Sequence, residues 1–254
     1  MSAADDQALA RRAQRRFVLA IALLLGLPAL LTLLAFGALV RTPVDEMALG
    51  TPLVVTPTSA APAATATPID PQTLAQAGLA AYEAGDFALA EARFRAAMAL
   101  APAEATLHNA LGMALAQQGR SDEALAAYQT SLRLAPDLAD AAYNLASAEH
   151  ALGRLDAAEA GYRRALAGDP RLLAAYRGLG ALYAGRAQYD QAATTLEQAV
   201  TLAPGDGWLR YELGLIYLLQ GRKDAARQQW QQAERLADDA ELAGKVRQQM
   251  AKLQ

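Results

Sequence analysis

Pro102, Pro136, Pro170 and Pro204 stand 34 residues apart, three times in succession. A fixed internal period of this size obliges a chain to build a stack of like units. In that register residues 71–240 divide into five copies, 71–104, 105–138, 139–172, 173–206 and 207–240. The eighth position is small in every copy (Gly78, Gly112, Ala146, Gly180, Gly214), and the twentieth is always alanine (Ala90, Ala124, Ala158, Ala192, Ala226). A larger residue holds the twenty-fourth (Phe94, Tyr128, Tyr162, Leu196, Trp230) and a small one the twenty-seventh (Ala97, Ser131, Ala165, Ala199, Ala233). Small residues lie where two helices must cross closely, and the large one fills the wider gap beside them. Near the fifteenth position Gly85, Gly119, Gly153 and Gly221 divide each unit into two helical stretches, because glycine enters left-handed backbone at no steric cost. The fourth copy has Ala187 there, so its turn is expected to begin at Gly185 instead. The prolines end the second stretch, lacking the donor that a continuing helix needs.

One helix pair cannot bury its apolar face, so such units stack and share a core. The fold expected is therefore all-α: an α-solenoid of five 34-residue helix-turn-helix repeats plus a C-terminal capping helix, preceded by a transmembrane helix. Residues 241–254 form the cap, with Leu242, Val246, Met250 and Leu253 facing inward, as the end of a stack must be covered. Asp238 stands where the fifth copy would carry proline.

These columns resemble the tetratricopeptide repeat: Leu-Gly near the start (Leu111-Gly112, Leu179-Gly180, Leu213-Gly214), then alanine, a large residue, a small residue and proline. The resemblance covers 170 of the 254 residues. It implies a concave groove lined by positions 2, 5, 9, 12 and 13 of each first helix. Those positions are Gln72, Leu79, Tyr82 and Glu83 in the first copy and Thr106, Asn109, Met113 and Gln117 in the second. The third supplies Asp140, Tyr143, Ser147 and His150; the fourth supplies Arg177, with alanine or glycine elsewhere. The fifth supplies Trp208, Tyr211, Leu215 and Leu218. The groove so drawn begins polar, is pinched by small residues in its middle and ends aromatic and aliphatic. Its last residues have a second reading, packing against the cap. Some family members clamp acidic C-terminal peptides of chaperones with Lys and Asn; Ala75 and Leu79 occupy those first-copy positions, which disfavours that role.

Ahead of the repeats, Phe17 to Val40 is a run of 24 residues without a charge. About 20 apolar residues suffice to cross a bilayer. Arg11, Arg12, Arg15 and Arg16 precede the run, whereas Arg41 alone follows closely. By the positive-inside rule residues 1–16 stay cytoplasmic and the repeats lie on the extracytoplasmic side of a single-pass anchor. A cleaved signal peptide would have a shorter apolar region, of 7–15 residues. Residues 41–70 read as a tether: six of the eleven prolines fall between Pro43 and Pro71, among Thr, Ala and Val, a composition that favours extended chain.

Charge and composition narrow the function. Residues 71–254 carry 18 basic and 21 acidic side chains, which offers nucleic acid no basic face. There is no cysteine, so disulfide and thiol chemistry are excluded. The two histidines, His108 and His150, lie in different copies, and His108 is expected to pack between helices rather than hold a metal. No phosphate loop, nucleophile elbow or ligand cluster is present. Asp156 with Glu159 has the spacing of a helix cap. The expectation is a scaffold without cofactor or catalytic site, anchored in the bilayer through residues 17–40. It would bind a peptide segment or helix of another envelope protein during assembly or maturation of a complex. The competing expectation is a homo-oligomer with no foreign client, its spans packed through Ala22 and Gly26.

Overall fold

A computed structural model of the chain describes residues 70–253; the tail, the apolar run and the tether up to Ile69 lie outside the described residues. Eleven helices follow one another with no strand among the described residues. Five pairs come first: α1 (Pro71–Glu83) and α2 (Phe87–Leu100), α3 (Ala105–Gln117) and α4 (Ser121–Leu134), α5 (Ala139–Ala151) and α6 (Leu155–Gly168). Next are α7 (Leu173–Gly185) and α8 (Tyr189–Leu202), α9 (Gly207–Leu219) and α10 (Lys223–Leu236), then the single α11 (Ala240–Ala251). None of these is long and apolar enough to cross a membrane.

Local chemistry sets the boundaries. Asp70, Asp86, Asp206 and Asp239 accept the backbone N–H three residues on, at 2.8, 3.0, 3.0 and 2.6 Å, which satisfies one orphan donor at each of those helix starts. Every first helix ends in one backbone pattern, a hydrogen bond from position 16 to the carbonyl of position 11, as in Asp86 N–H to Ala81 and Arg120 N–H to Leu115. Closing that ring requires left-handed backbone at position 15. Gly85, Gly119, Gly153 and Gly221 supply it with φ between 74° and 79°.

The fourth pair departs from the expectation stated above. Its turn does not begin at Gly185, which is the last residue of α7. Ala187 itself takes φ 58°, and Gln188 N–H donates to the Tyr183 carbonyl at 2.8 Å as in the other turns. The ring geometry outweighs the side-chain preference, and alanine bears a strain of about 1–2 kcal/mol there.

Within a pair, position 8 lies beneath position 24. A Cβ on Gly78 would come within 2.5 Å of Phe94, on Gly112 within 2.5 Å of Tyr128, and on Gly214 within 2.3 Å of Trp230. The third copy inverts this arrangement. Ala146 fills position 8, and the space it needs comes from Gly161, where a Cβ would stand 2.7 Å from the Ala146 methyl. The displaced Tyr162 ring lies instead over Gly178 of the next first helix, 2.6 Å from where its Cβ would be. Trp230, fully buried, donates its Nε1 hydrogen to the Tyr211 carbonyl at 3.1 Å.

Between repeats, α1 approaches α3, α3 approaches α5 and α5 approaches α7, while no two second helices come as close. The first helices therefore form the inner wall of the stack and the second helices its outer wall. The connecting loops carry a further regularity. The carbonyls of Pro102, Pro170 and Pro204 each accept from the residue six on: His108 Nε2 at 2.9 Å, Tyr176 hydroxyl at 3.1 Å, Arg210 at 2.9 and 3.1 Å. Ala142 cannot do this in the third copy, and Arg164 reaches the Pro136 carbonyl instead, at 2.6 and 3.0 Å. A carbonyl only accepts, so His108 carries its proton on Nε2. That histidine is half-buried against a loop rather than enclosed between helices.

Candidate partner-binding groove

The inner wall offers its side chains in the order of the repeats. On α1, Gln72, Leu79 and Glu83 are exposed, and Tyr82 is half-buried with its ring edge-on to Phe87 at 5.3 Å. On α3, Thr106 and Gln117 are exposed, and Thr106 donates its hydroxyl to Glu104 at 2.9 Å. Asn109 and Met113 are half-buried, and Asn144 of the next helix donates its amide to Asn109 Oδ1 at 2.9 Å.

Asp140 and Ser147 are exposed on α5, while Tyr143 and His150 are half-buried on either side of the Tyr162 ring, with centroids at 6.0 and 6.2 Å. Burial, with a smaller contribution from the Arg186 charge, pushes the His150 pKa below its ordinary 6.5, so this imidazole is neutral at pH 7. Burial raises the Tyr162 phenol to about 12. Beside this aromatic group the inner face of α7 carries only Ala174, Ala181, Ala184 and Gly185 around Arg177. Ala174, Ala181 and Ala184 are half-buried and Gly185 is exposed.

One groove residue is already paired, and one expectation about the far end is corrected. Arg177 is not a free cation: its guanidinium grips Glu212 of the next repeat in a bidentate pair, with Nε 2.9 and 3.0 Å from the two carboxylate oxygens and a closer contact through Nη2. The Glu212 side chain is 11% exposed, and burial raises its pKa despite the opposing pull of Arg177. Tyr211 is 3% exposed and lies in the core, its carbonyl held by Trp230, so it presents no ring to the groove. Trp208 is half-buried with its ring edge-on to Tyr211 at 6.0 Å. Its Nε1 donates to Asp239 at 3.3 Å, and Lys245 of the cap lies 5.4 Å over its ring. Of the two readings of this end, packing against the cap describes Tyr211 and most of Trp208. Leu215 and Leu218 remain half-buried on the wall, and Leu219, absent from the expected set, is 53% exposed.

Position 6 was missed by sequence reasoning. It carries Asn144 and Glu212, the partners of Asn109 and Arg177, so position 5 of one repeat meets position 6 of the next. The signal was present as polar residues at a position where the second and fourth copies have Ala110 and Gly178. Asp156 and Glu159 do not form a cap; both bind Arg186 of the following repeat. Among the described residues no group of three His, Asp or Glu is placed to hold a metal.

Two family models described as tetratricopeptide repeat match the chain, one over residues 76–139 and 117–172, the other over residues 183–250. Together they span more than half of it, and the chain belongs to the tetratricopeptide-repeat family. Solved structures share the fold. One is TTC0263 of Thermus thermophilus, a thermophilic tetratricopeptide-repeat protein: TM-score 0.59, 23% identity, over 71% of this chain and 99% of that one. A MamA structure matches with TM-score 0.57 and 23% identity over 67% of this chain and 93% of its own. YrrB, described as having an unusual peptide-binding site, matches with TM-score 0.55 and 19% identity over 70% and 92%. No curated protein sequence matches the chain.

Proposed function

We propose that this chain is a membrane-anchored interaction scaffold whose inner wall holds an extended segment or helix of another envelope protein during assembly or maturation of a larger complex. The observation that carries the reading is the inner wall itself. Leu79, Met113, Leu215 and Leu218 stand along it among Tyr82, Tyr143, Ser147 and Asp140, each exposed or half-buried. Mixed apolar and hydrogen-bonding side chains on a rigid helical face are what recognition of a polypeptide requires. Family membership supports the reading, as does the peptide-binding site ascribed to YrrB. The apolar run at 17–40, with arginines before it, supports a single-pass anchor that leaves the repeats extracytoplasmic. The tether then holds the stack away from the bilayer.

The test uses Met113→Ala, Tyr143→Ala and Leu218→Ala combined, in full-length protein cross-linked in native membranes. Anchor truncations each cost about 1–2 kcal/mol of binding, so partner recovery should fall by more than about tenfold. Undiminished recovery of every partner by the folded variant contradicts the proposal.

A further inference from the structure

Position 14, in the turn after each first helix, ties its repeat to the one before. Gln118 donates to the Phe87 carbonyl at 3.1 Å and to Glu91 at 2.9 Å, joining repeat 2 to repeat 1. Arg186 grips Asp156 and Glu159, joining repeat 4 to repeat 3. Gln220 donates to Asp190 at 2.7 Å, joining repeat 5 to repeat 4. The junction between repeats 2 and 3 has Leu152 at that position, 43% exposed, and a leucine has nothing to donate. Asp122 stands where Asp156 and Asp190 stand in their copies, and it has no partner from repeat 3 among the described residues. Arg154, two residues beyond Leu152, turns back to Glu149 of its own repeat at 3.1 Å.

The apolar core divides at this place, as it does once more within repeats 1 and 2, where Leu74, Ala97 and Leu107 form a small cluster of their own. Ala81, Ala90, Phe94, Leu111, Leu115 and Tyr128 of repeats 1 and 2 form one buried cluster. Repeats 3 to 5 and the cap form another, joined from repeat 2 by Leu132; half-buried Leu145 packs against both, and half-buried Ala148 of repeat 3 packs against the first. On the inner side, by contrast, α3 and α5 lie close together and Asn144 bonds Asn109. A joint pinned on its inner side by Asn109–Asn144, and lacking the turn-side tie that the other three junctions have, has a pivot and an edge free to open, which is the anatomy of a hinge.

We propose that the stack is two rigid bodies, repeats 1–2 and repeats 3–5 with the cap, hinged at the Asn109–Asn144 contact and opening at the Leu152 turn. The motion changes the angle between the two halves of the inner wall, and so the shape of segment the wall accepts. Leu152→Arg rebuilds the missing tie, because an arginine there meets Asp122 as Arg186 meets Asp156. The exposure of Leu152 leaves the core untouched by that change.

The chain has no cysteine, so paired spin labels can be introduced cleanly in the full-length protein in detergent. Position 22 is exposed in every repeat. Labels at Ala92 and Ala160 span the proposed hinge; labels at Ala160 and Gln228 are equally far apart in repeats and do not. The first pair is expected to give a broad or two-component distance distribution and the second a narrow one. Leu152→Arg should lower the population of the wide component of the first pair roughly two- to fivefold, the range for one part-exposed ion pair. It should leave the second pair unchanged. Leu152→Gln, which copies the tie that Gln220 makes, provides the same reading should the arginine variant misfold. Equal widths for the two pairs in the unmodified protein, or a wide component that a folded Leu152 variant does not diminish, overturns the proposal.

Discussion

At the scale of single residues, the fourth turn offers a test of how backbone geometry overrides residue preference. Ala187 occupies left-handed backbone that glycine fills in the other four turns. Ala187→Gly relieves that strain, offset by the greater entropy of the unfolded chain, for a net gain of about 0.5–1 kcal/mol. Gly185→Ala, at a helical residue whose added Cβ would touch nothing within 4 Å, should stabilise by about as much. Gly119→Ala should do the reverse of Ala187→Gly. Urea denaturation of the three variants measures this, and an unstable Ala187→Gly contradicts the reading. Gly214→Ala belongs to the other class of glycine, with Trp230 only 2.3 Å from the new methyl. Overpacking of that kind costs about 1–3 kcal/mol, read as an earlier midpoint in the same titration. The eighth-position glycines were legible from their period with the large residues sixteen positions on. The inversion in the third copy was not, since pairing Ala146 with Gly161 and Tyr162 with Gly178 depends on which ring leans where.

Helices and their junctions are where ionisation enters. His150 of α5 is held neutral mainly by burial, so its folded pKa lies below the 6.5 of the unfolded chain. The unfolded state then binds more protons in the window just below pH 6.5, and stability falls as pH drops through it towards the folded pKa. His150→Asn should flatten that part of the stability–pH curve, measured as thermal midpoints between about pH 5 and 7 (the ordinary imidazole range). A slope unchanged by the substitution would mean that another group sets it. Arg177 and Glu212 couple α7 to α9 across a repeat boundary. Arg177→Ala strands a largely buried carboxylate and should cost about 1–3 kcal/mol, the unsatisfied-group penalty discounted for the exposure of the arginine. Arg177→Met with Glu212→Gln should cost less than Arg177→Ala alone. A double-mutant cycle by urea denaturation decides it. The sequence periodicity placed Arg177 on the inner wall, yet it could not show that its charge was already paired. That requires knowing that position 5 of one repeat faces position 6 of the next, a relation between units rather than within one. Tyr211 was misplaced for a related reason: the cap and Trp230 close over the last repeat, so a position open elsewhere in the stack is enclosed there.

For the whole molecule, the 34-residue period carried the architecture, because five like units with alternating small and large positions leave one efficient way to share a core. The proposed topology across a bilayer rests on residues 1–41. It predicts that protease added outside intact cells, with any outer barrier opened, removes the repeats and spares the arginine-rich tail; survival of the repeats would place them on the other side. The central claim is that the inner wall is where a partner sits. A photo-cross-linking residue placed in turn at Leu79 and Ser147, on that wall, and at Ala126, on the outer wall, tests it in native membranes. Adducts to one and the same protein from both inner positions and none from Ala126 are the result expected. Adducts from Ala126 alone, or from all three without distinction, would contradict it.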